Sequence, residues 1–152
     1  MSVGAQQQAG QTESESQKAS EITVQRWFSA AGVHPYDEVS WQRRDIEQTN
    51  WRTGETIFTQ SAVEFPDFWS LNASTIVTTK YLRGAVGSPA RESSLRQLID
   101  RVVARYVASG LENGYFATPE NGALFGDELT WLLLHQAFSF NSPVWFNVGT
   151  DS

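Results

Sequence analysis

Residues 126–149, GDELTWLLLHQAFSFNSPVWFNVG, form the most apolar and least interrupted stretch of the chain, and they limit what the rest can fold into. Leu129, Leu132, Leu133, Gln136, Ala137 and Phe140 recur at the i, i+3, i+4 spacing of one helical face, while Trp131, Leu134 and Phe138 make the other face apolar too. The spacing predicts a helix buried on nearly all sides. Asp127 and Glu128 fall in its first turn, where the helix dipole favours negative charge. Asn141-Ser142-Pro143 ends it, because proline cannot continue the hydrogen-bond ladder and pushes the preceding residue out of the α region. Val144-Trp145-Phe146 then reads as the start of a buried strand. So much apolar surface on a helix leading into a strand is expected to belong to something larger.

Six Trp and nine Phe among 152 residues carry the same message, since rings of this size organise whatever core they enter. With 40% hydrophobic residues the chain has a globular composition, enough for one domain. A net charge of −6, with Lys and Arg spread along the chain, argues against a nucleic-acid polymer as partner. The absence of Cys excludes a disulfide framework, a thiolate metal site and thiol chemistry within these residues. The first residues lack the basic start and apolar core of a signal peptide. The longest apolar run, Trp131 to Leu134, is far too short for a membrane span. A cytoplasmic protein with no membrane partner is the expectation.

In chain order, residues 1–20 are too poor in apolar side chains to offset the entropy of ordering them, which predicts a disordered tail ahead of a domain at 21–152. Alternation from Glu21 to Trp27 gives a weak signal for a short strand. Val39 to Glu47 and Thr56 to Gln60, separated by the turn residues Asn50 to Gly54, predict a β-hairpin, followed by an extended linker from Ser61 to Pro66. Asp67 then caps a first helix carrying Trp69, Ala73, Ile76, Val77 and Tyr81 on one face. Ser88-Pro89 marks the start of a second, with Leu95, Leu98, Ile99, Val102, Val103, Tyr106 and Val107 in one stripe and Gly110 as its stop. Along its other side, Glu92 and Arg96 form a favourable i, i+4 pair. Residues 111–126, rich in Gly and Asn, read as a loop with aromatic anchors. The fold class is therefore α+β, mainly helical: a small hairpin, then three helices leading into a strand.

Candidate site residues are few. His34 precedes proline in a turn and is expected to be a surface or packing residue. His135 lies within the apolar helix, where a buried imidazole needs a partner; no second His and no Glu at ligand spacing accompany it, so a metal site is not expected. Asp127 and Glu128 suit a helix start better than an acid/base pair. Gly84 to Ser88 resembles a phosphate loop only superficially, because it lacks the Lys that follows the glycines in one; Lys80 and Arg83 nearby suit a helix C-terminus. Ser142 stands out on chemistry. Its hydroxyl, at a junction stiffened by Pro143, either meets a polar ligand or simply serves as a helix-end turn residue.

The segments EFPDFWS, TTKYLRG, GSPARESSLRQLIDRVV and NGYFATPENGALFGDELTWLLLHQAFSFNSPVWFNVG, with VQRWFSAAGVHPYDEVSWQRRD upstream, occur in one order over about 130 residues. Together they resemble the N-terminal region of adenosylcobalamin-dependent, class II ribonucleotide reductases. The resemblance implies the front end of an enzyme that makes deoxyribonucleotides by reducing a ribonucleotide at its 2′ carbon, with a cobalamin-generated thiyl radical and a redox pair of cysteines. It implies that SPVWFNVG runs into the first strand of an α/β barrel, and that the cysteines and most of the adenosylcobalamin and effector sites lie outside this chain. Ser142 is similar to the Ser or Thr of the family that touches the substrate nucleotide, with Asn141 and Asn147 as supports. Further implied partners are the remainder of the reductase polypeptide, a ribonucleotide, and a second copy in a homodimer when complete.

On this basis the chain is expected to be a reductase N-terminal domain truncated before the catalytic barrel and inactive alone. The alternative is a non-catalytic helical module whose last helix docks on a partner protein. The gene beyond Ser152 distinguishes them: a Cys codon within a few tens of residues supports the reductase. In isolation the chain is expected to expose apolar surface along Gly126 to Phe146 and to self-associate. Sedimentation showing a monodisperse monomer, with no binding of an apolar dye, would contradict that.

Overall fold

A computed structural model describes residues 21–150. The tail expected over residues 1–20 lies outside the described residues. The hairpin is present: β1 (Trp41–Thr49) and β2 (Thr56–Pro66) pair antiparallel, from Trp41 opposite Pro66 to Thr49 opposite Thr56. The stretch Ser61 to Pro66, expected as a linker, is the second half of β2. What disguises it is a bulge: the register shifts between Arg44 and Ile46, and Ala62 takes a positive φ of 56°. Asp45 accepts the Ala62 N–H at 2.9 Å and so satisfies the group that the bulge removes from the ladder. Ile46, Val63 and Phe65 are all fully buried, while the far half of the hairpin is mostly exposed, with Phe58 half-buried against the core.

Ser70, not Asp67, caps α1 (Leu71–Lys80), its Oγ accepting the Ala73 N–H at 3.0 Å. The poor helix formers of α1 are accommodated by bonding backwards. The hydroxyls of Ser74, Thr75, Thr78 and Thr79 each donate to the carbonyl four residues earlier, at 2.7–2.9 Å. Ser74 and Thr78 are thereby buried without an unmet polar group.

The second helix, α2 (Leu95–Glu112), begins later than Ser88-Pro89. Its cap is Ser94, whose Oγ accepts the Arg96 N–H at 3.1 Å, while Gln97 Oε1 accepts the Ser94 N–H at 3.1 Å. Residues 88–92 fold into turns instead, because Arg91 and Glu92 bond away from the helix. Arg91 donates to the carbonyls of Thr78 and Leu82, each at 2.6 Å, where α1 has no partners of its own. Glu92 pairs with Arg101, not Arg96, which reaches Glu64 at 2.8 Å. Gly110 is no stop; it lies inside α2, where a Cβ would meet the Phe116 ring at 2.3 Å.

Residues 119–126, expected as loop, are helical: α3 runs Pro119–Leu134, capped by Thr118 with Pro119 in its first turn. It also ends earlier than expected, at His135 and the positive-φ Gln136. Val144-Trp145-Phe146 is not a strand but part of α4 (Ser142–Asn147). Pro143 accounts for the second difference, since a proline that cannot sit inside a helix is well suited to begin one. At the other end, the strand expected near residue 22 is a single bridge from Ile22 to Phe116.

α2 is central. Leu95, Leu98, Ile99 and Val102 are buried between the hairpin, α3 and α4. Each such side chain contributes about 2 kcal/mol relative to exposure. The polar counterpart of this core is Arg101, only 10% exposed, against Glu92 at 13%. Arg101 Nε lies 2.9 Å from Glu92 Oε1, and its other nitrogens donate to the carbonyls of Tyr81 (3.3 Å), Trp145 (3.2 Å) and Val148 (2.9 Å). Truncating one member of such a pair strands the other in low dielectric. Arg101→Ala and Glu92→Ala are each expected to cost about 3 kcal/mol in urea unfolding, with the double variant costing less than their sum.

Candidate functional site

Ser142 opens α4 and bonds to Tyr81, which lines an apolar cleft of about 290 Å3 between α1, α2, the end of α3 and Trp145 of α4. Trp69, Ile76, Val77, Leu133, Phe138 and Trp145 supply much of the wall, and Tyr81 closes the side nearest Ser142. The Ser142 hydroxyl is exposed and lies 2.9 Å from the Tyr81 hydroxyl, 61 residues away in sequence. Tyr81 is stacked at a tilt against Phe146 and Trp145, with centroids 5.1 and 6.4 Å away. Asn141 is the N-cap residue of α4 but makes no side-chain cap bond, and Asn147 turns back to donate to the Pro143 carbonyl at 3.0 Å. The three expected residues thus share one short helix. Only Ser142 reaches across to another element through its side chain.

His135 does not sit mid-helix but terminates α3. Its Nδ1 donates to the Trp131 carbonyl at 2.9 Å, and its ring stacks on Trp131 (4.0 Å) and on Phe68 (5.6 Å). Trp131 stacks in turn on Phe28 at 5.0 Å, completing a column of four rings. His34 Nδ1 accepts the Tyr36 N–H at 3.1 Å and caps the short helical turn Pro35–Glu38. Gly84 to Ser88 precedes no helix directly; Gly84, with φ of +86°, lies against the Ala90 carbonyl. Among the described residues no group of three His, Asp or Glu is arranged to hold a metal ion.

The polar site that the sequence concealed is at Glu128. Only 8% exposed and well inside α3, its carboxylate accepts the N–H groups of Trp27 (3.0 Å), Phe28 (2.8 Å) and Ser29 (2.9 Å), and the Ser29 hydroxyl. Burial alone would raise its pKa. The Ser29 hydroxyl and the three backbone donors outweigh that and hold it below the ordinary value. Beside it Asp127 pairs with Arg26 at 3.4 Å. The adjacent carboxylates therefore fasten residues 26–29 to α3, which neither the helix-start nor the acid/base assignment anticipates. Nothing in the spacing of residues about a hundred positions apart announces this contact. The signal for Tyr81 was equally faint, a hydroxyl on the apolar face of α1.

The architecture defines a hairpin-and-helix segment with a hydroxyl pair at the rim of an aromatic cleft. A family model described as class II vitamin B12-dependent ribonucleotide reductase matches residues 43–136. The vitamin B12-dependent ribonucleotide reductases of Streptomyces coelicolor and Streptomyces clavuligerus are each 60% identical over 129 residues, covering 85% of this chain and 13% of theirs. That of Rhodopirellula baltica is 44% identical over 119 residues, 78% of this chain and 11% of its own. The chain belongs to the class II vitamin B12-dependent ribonucleotide reductase family, covering its N-terminal region. It spans about 13% of the length of the Streptomyces coelicolor and Streptomyces clavuligerus relatives.

A carboxyl with a depressed folded pKa contributes stability that is complete above its unfolded value, near 4.5, and is lost as pH falls through the lower folded value. Glu128→Gln should therefore cost about 2 kcal/mol at pH 7. The urea midpoints of the two proteins should converge in acid, below that unfolded value.

Proposed function

We propose that this chain is the N-terminal, substrate-approach segment of a ribonucleoside-diphosphate reductase that supplies deoxyribonucleotides for DNA synthesis. The observation that carries it is the 60% identity to vitamin B12-dependent reductases over 85% of the chain. In this assignment Ser142 contacts the ribonucleotide, and Asn141 and Asn147 support the turn that presents it. The exposed hydroxyl on a helix start, backed by a rigid ring cluster, suits a contact with one polar atom of a ligand.

The complete enzyme uses adenosylcobalamin to generate a thiyl radical. The cleft beside Ser142 does not fit that group, being small, about 290 Å3, and walled largely by apolar rings and aliphatic side chains. The thiol is also supplied from elsewhere, since none of the 152 residues is Cys. This chain contributes binding surface and orientation, and the remainder of the reductase polypeptide contributes the chemistry, in a cytoplasmic homodimer. Phe138 and Phe146, 42% and 36% exposed at the cleft and beside Tyr81, suit docking against that remainder.

The chain alone is expected to show no nucleotide reduction. Mixed with the remaining polypeptide, adenosylcobalamin and a dithiol, it should restore deoxyribonucleotide formation. A soluble, paired mixture that forms none would refute the assignment.

A further inference from the structure

Ser142 is poorly held by its own helix. α4 has six residues, and Asn141 offers it no side-chain cap. Among the described residues the one side-chain partner of the Ser142 hydroxyl is Tyr81. Tyr81, in contrast, is fixed from several directions. Its N–H donates to the Val77 carbonyl at 2.9 Å as the last turn of α1 closes, and its own carbonyl accepts from Arg101 at 3.3 Å. Its ring lies between Phe146 and Trp145. The phenol oxygen therefore occupies a defined point at the lip of the cleft.

A serine hydroxyl has one proton and two lone pairs, and a phenol is the better donor of the two groups. With Tyr81 donating, Ser142 retains its proton for a ligand. We infer that Tyr81 is the positioning residue for Ser142: it fixes the serine hydroxyl in one rotamer and leaves it as a hydrogen-bond donor to an acceptor oxygen of the ribonucleotide. This inference rests on the assignment of Ser142 as a substrate contact. It adds a residue from α1, far from the Asn-Ser-Pro turn in sequence, to the site. It also gives the pair a direction: with one lone pair taken by the phenol, the serine proton is left to point at an oxygen that accepts.

Tyr81→Phe removes the one oxygen and keeps the ring. In the 152-residue chain, the NMR couplings of the Ser142 β-protons should report a single rotamer, and in Tyr81→Phe an average over several, with the melting temperature nearly unchanged. A Ser142 rotamer that stays single in Tyr81→Phe overturns the inference whatever the enzyme does. In the reductase reconstituted with the remaining polypeptide, Tyr81→Phe and Ser142→Ala should each raise KM for the ribonucleotide about five-fold at similar kcat, and the double variant no further. A double variant whose effects multiply, or a Tyr81→Phe enzyme with unchanged KM beside an impaired Ser142→Ala, refutes the role of Tyr81. An unchanged KM in Ser142→Ala refutes the substrate contact itself, while the rotamer measurement still decides whether Tyr81 anchors the hydroxyl.

Discussion

Arg101 is the point at which the separate parts of the molecule meet. Helix ends leave carbonyls without intrahelical partners and concentrate negative potential there. The Tyr81 carbonyl at the end of α1 and the Trp145 and Val148 carbonyls of α4 turn towards one guanidinium, projecting from the middle of α2. Glu92 neutralises it and, through its other oxygen, accepts the Arg83 N–H at 2.8 Å. The loop after α1, the end of α1, the centre of α2 and the end of α4 are thereby referenced to a single side chain. Tyr81 and Ser142 both sit on elements held this way. The geometry of the hydroxyl pair is thus inherited from an ion pair on its far side.

Apolar packing supplies the cohesion that this polar framework directs. The hairpin would be marginal alone, since two strands cannot shield both faces. Ile46, Val63 and Phe65 secure its near half against α2, and Arg44 finishes the join by donating to the carbonyls of Trp69 and Pro66 at 2.6 and 3.2 Å. Aromatic rings take over where the aliphatic core ends. Phe140 lies between Tyr106, Phe138 and Trp145 at 4.9–5.6 Å, so the segment that links α3 to α4 is fixed although it is neither helix nor strand.

Much of this was legible from periodicity. The α2 stripe, the hairpin and the α+β class followed from spacing alone, because burial of one face imposes it. Boundaries were less legible where a residue has two local meanings. Pro143 both stops and starts helices; Pro89 follows a serine but heads no helix; the alternation of β2 is broken by a bulge that one aspartate repairs. Ser142 could be singled out as a candidate because its chemistry and its junction are local. Tyr81, Arg101 and Glu128 could not, since each acquires its role from partners brought close only by the tertiary fold.

The ring column of Phe28, Trp131, His135 and Phe68 has a consequence for assembly. Its inner pair, Trp131 and His135, is local to the end of α3, whereas the outer rings come from the N-terminal segment and the turn before α1. Loops of many tens of residues must close before the outer rings can stack, and such non-local contacts form late. The column is therefore a record of completed folding. Every helix can be in place without it, and only its completion encloses the indole of Trp131 between a phenyl ring and an imidazole.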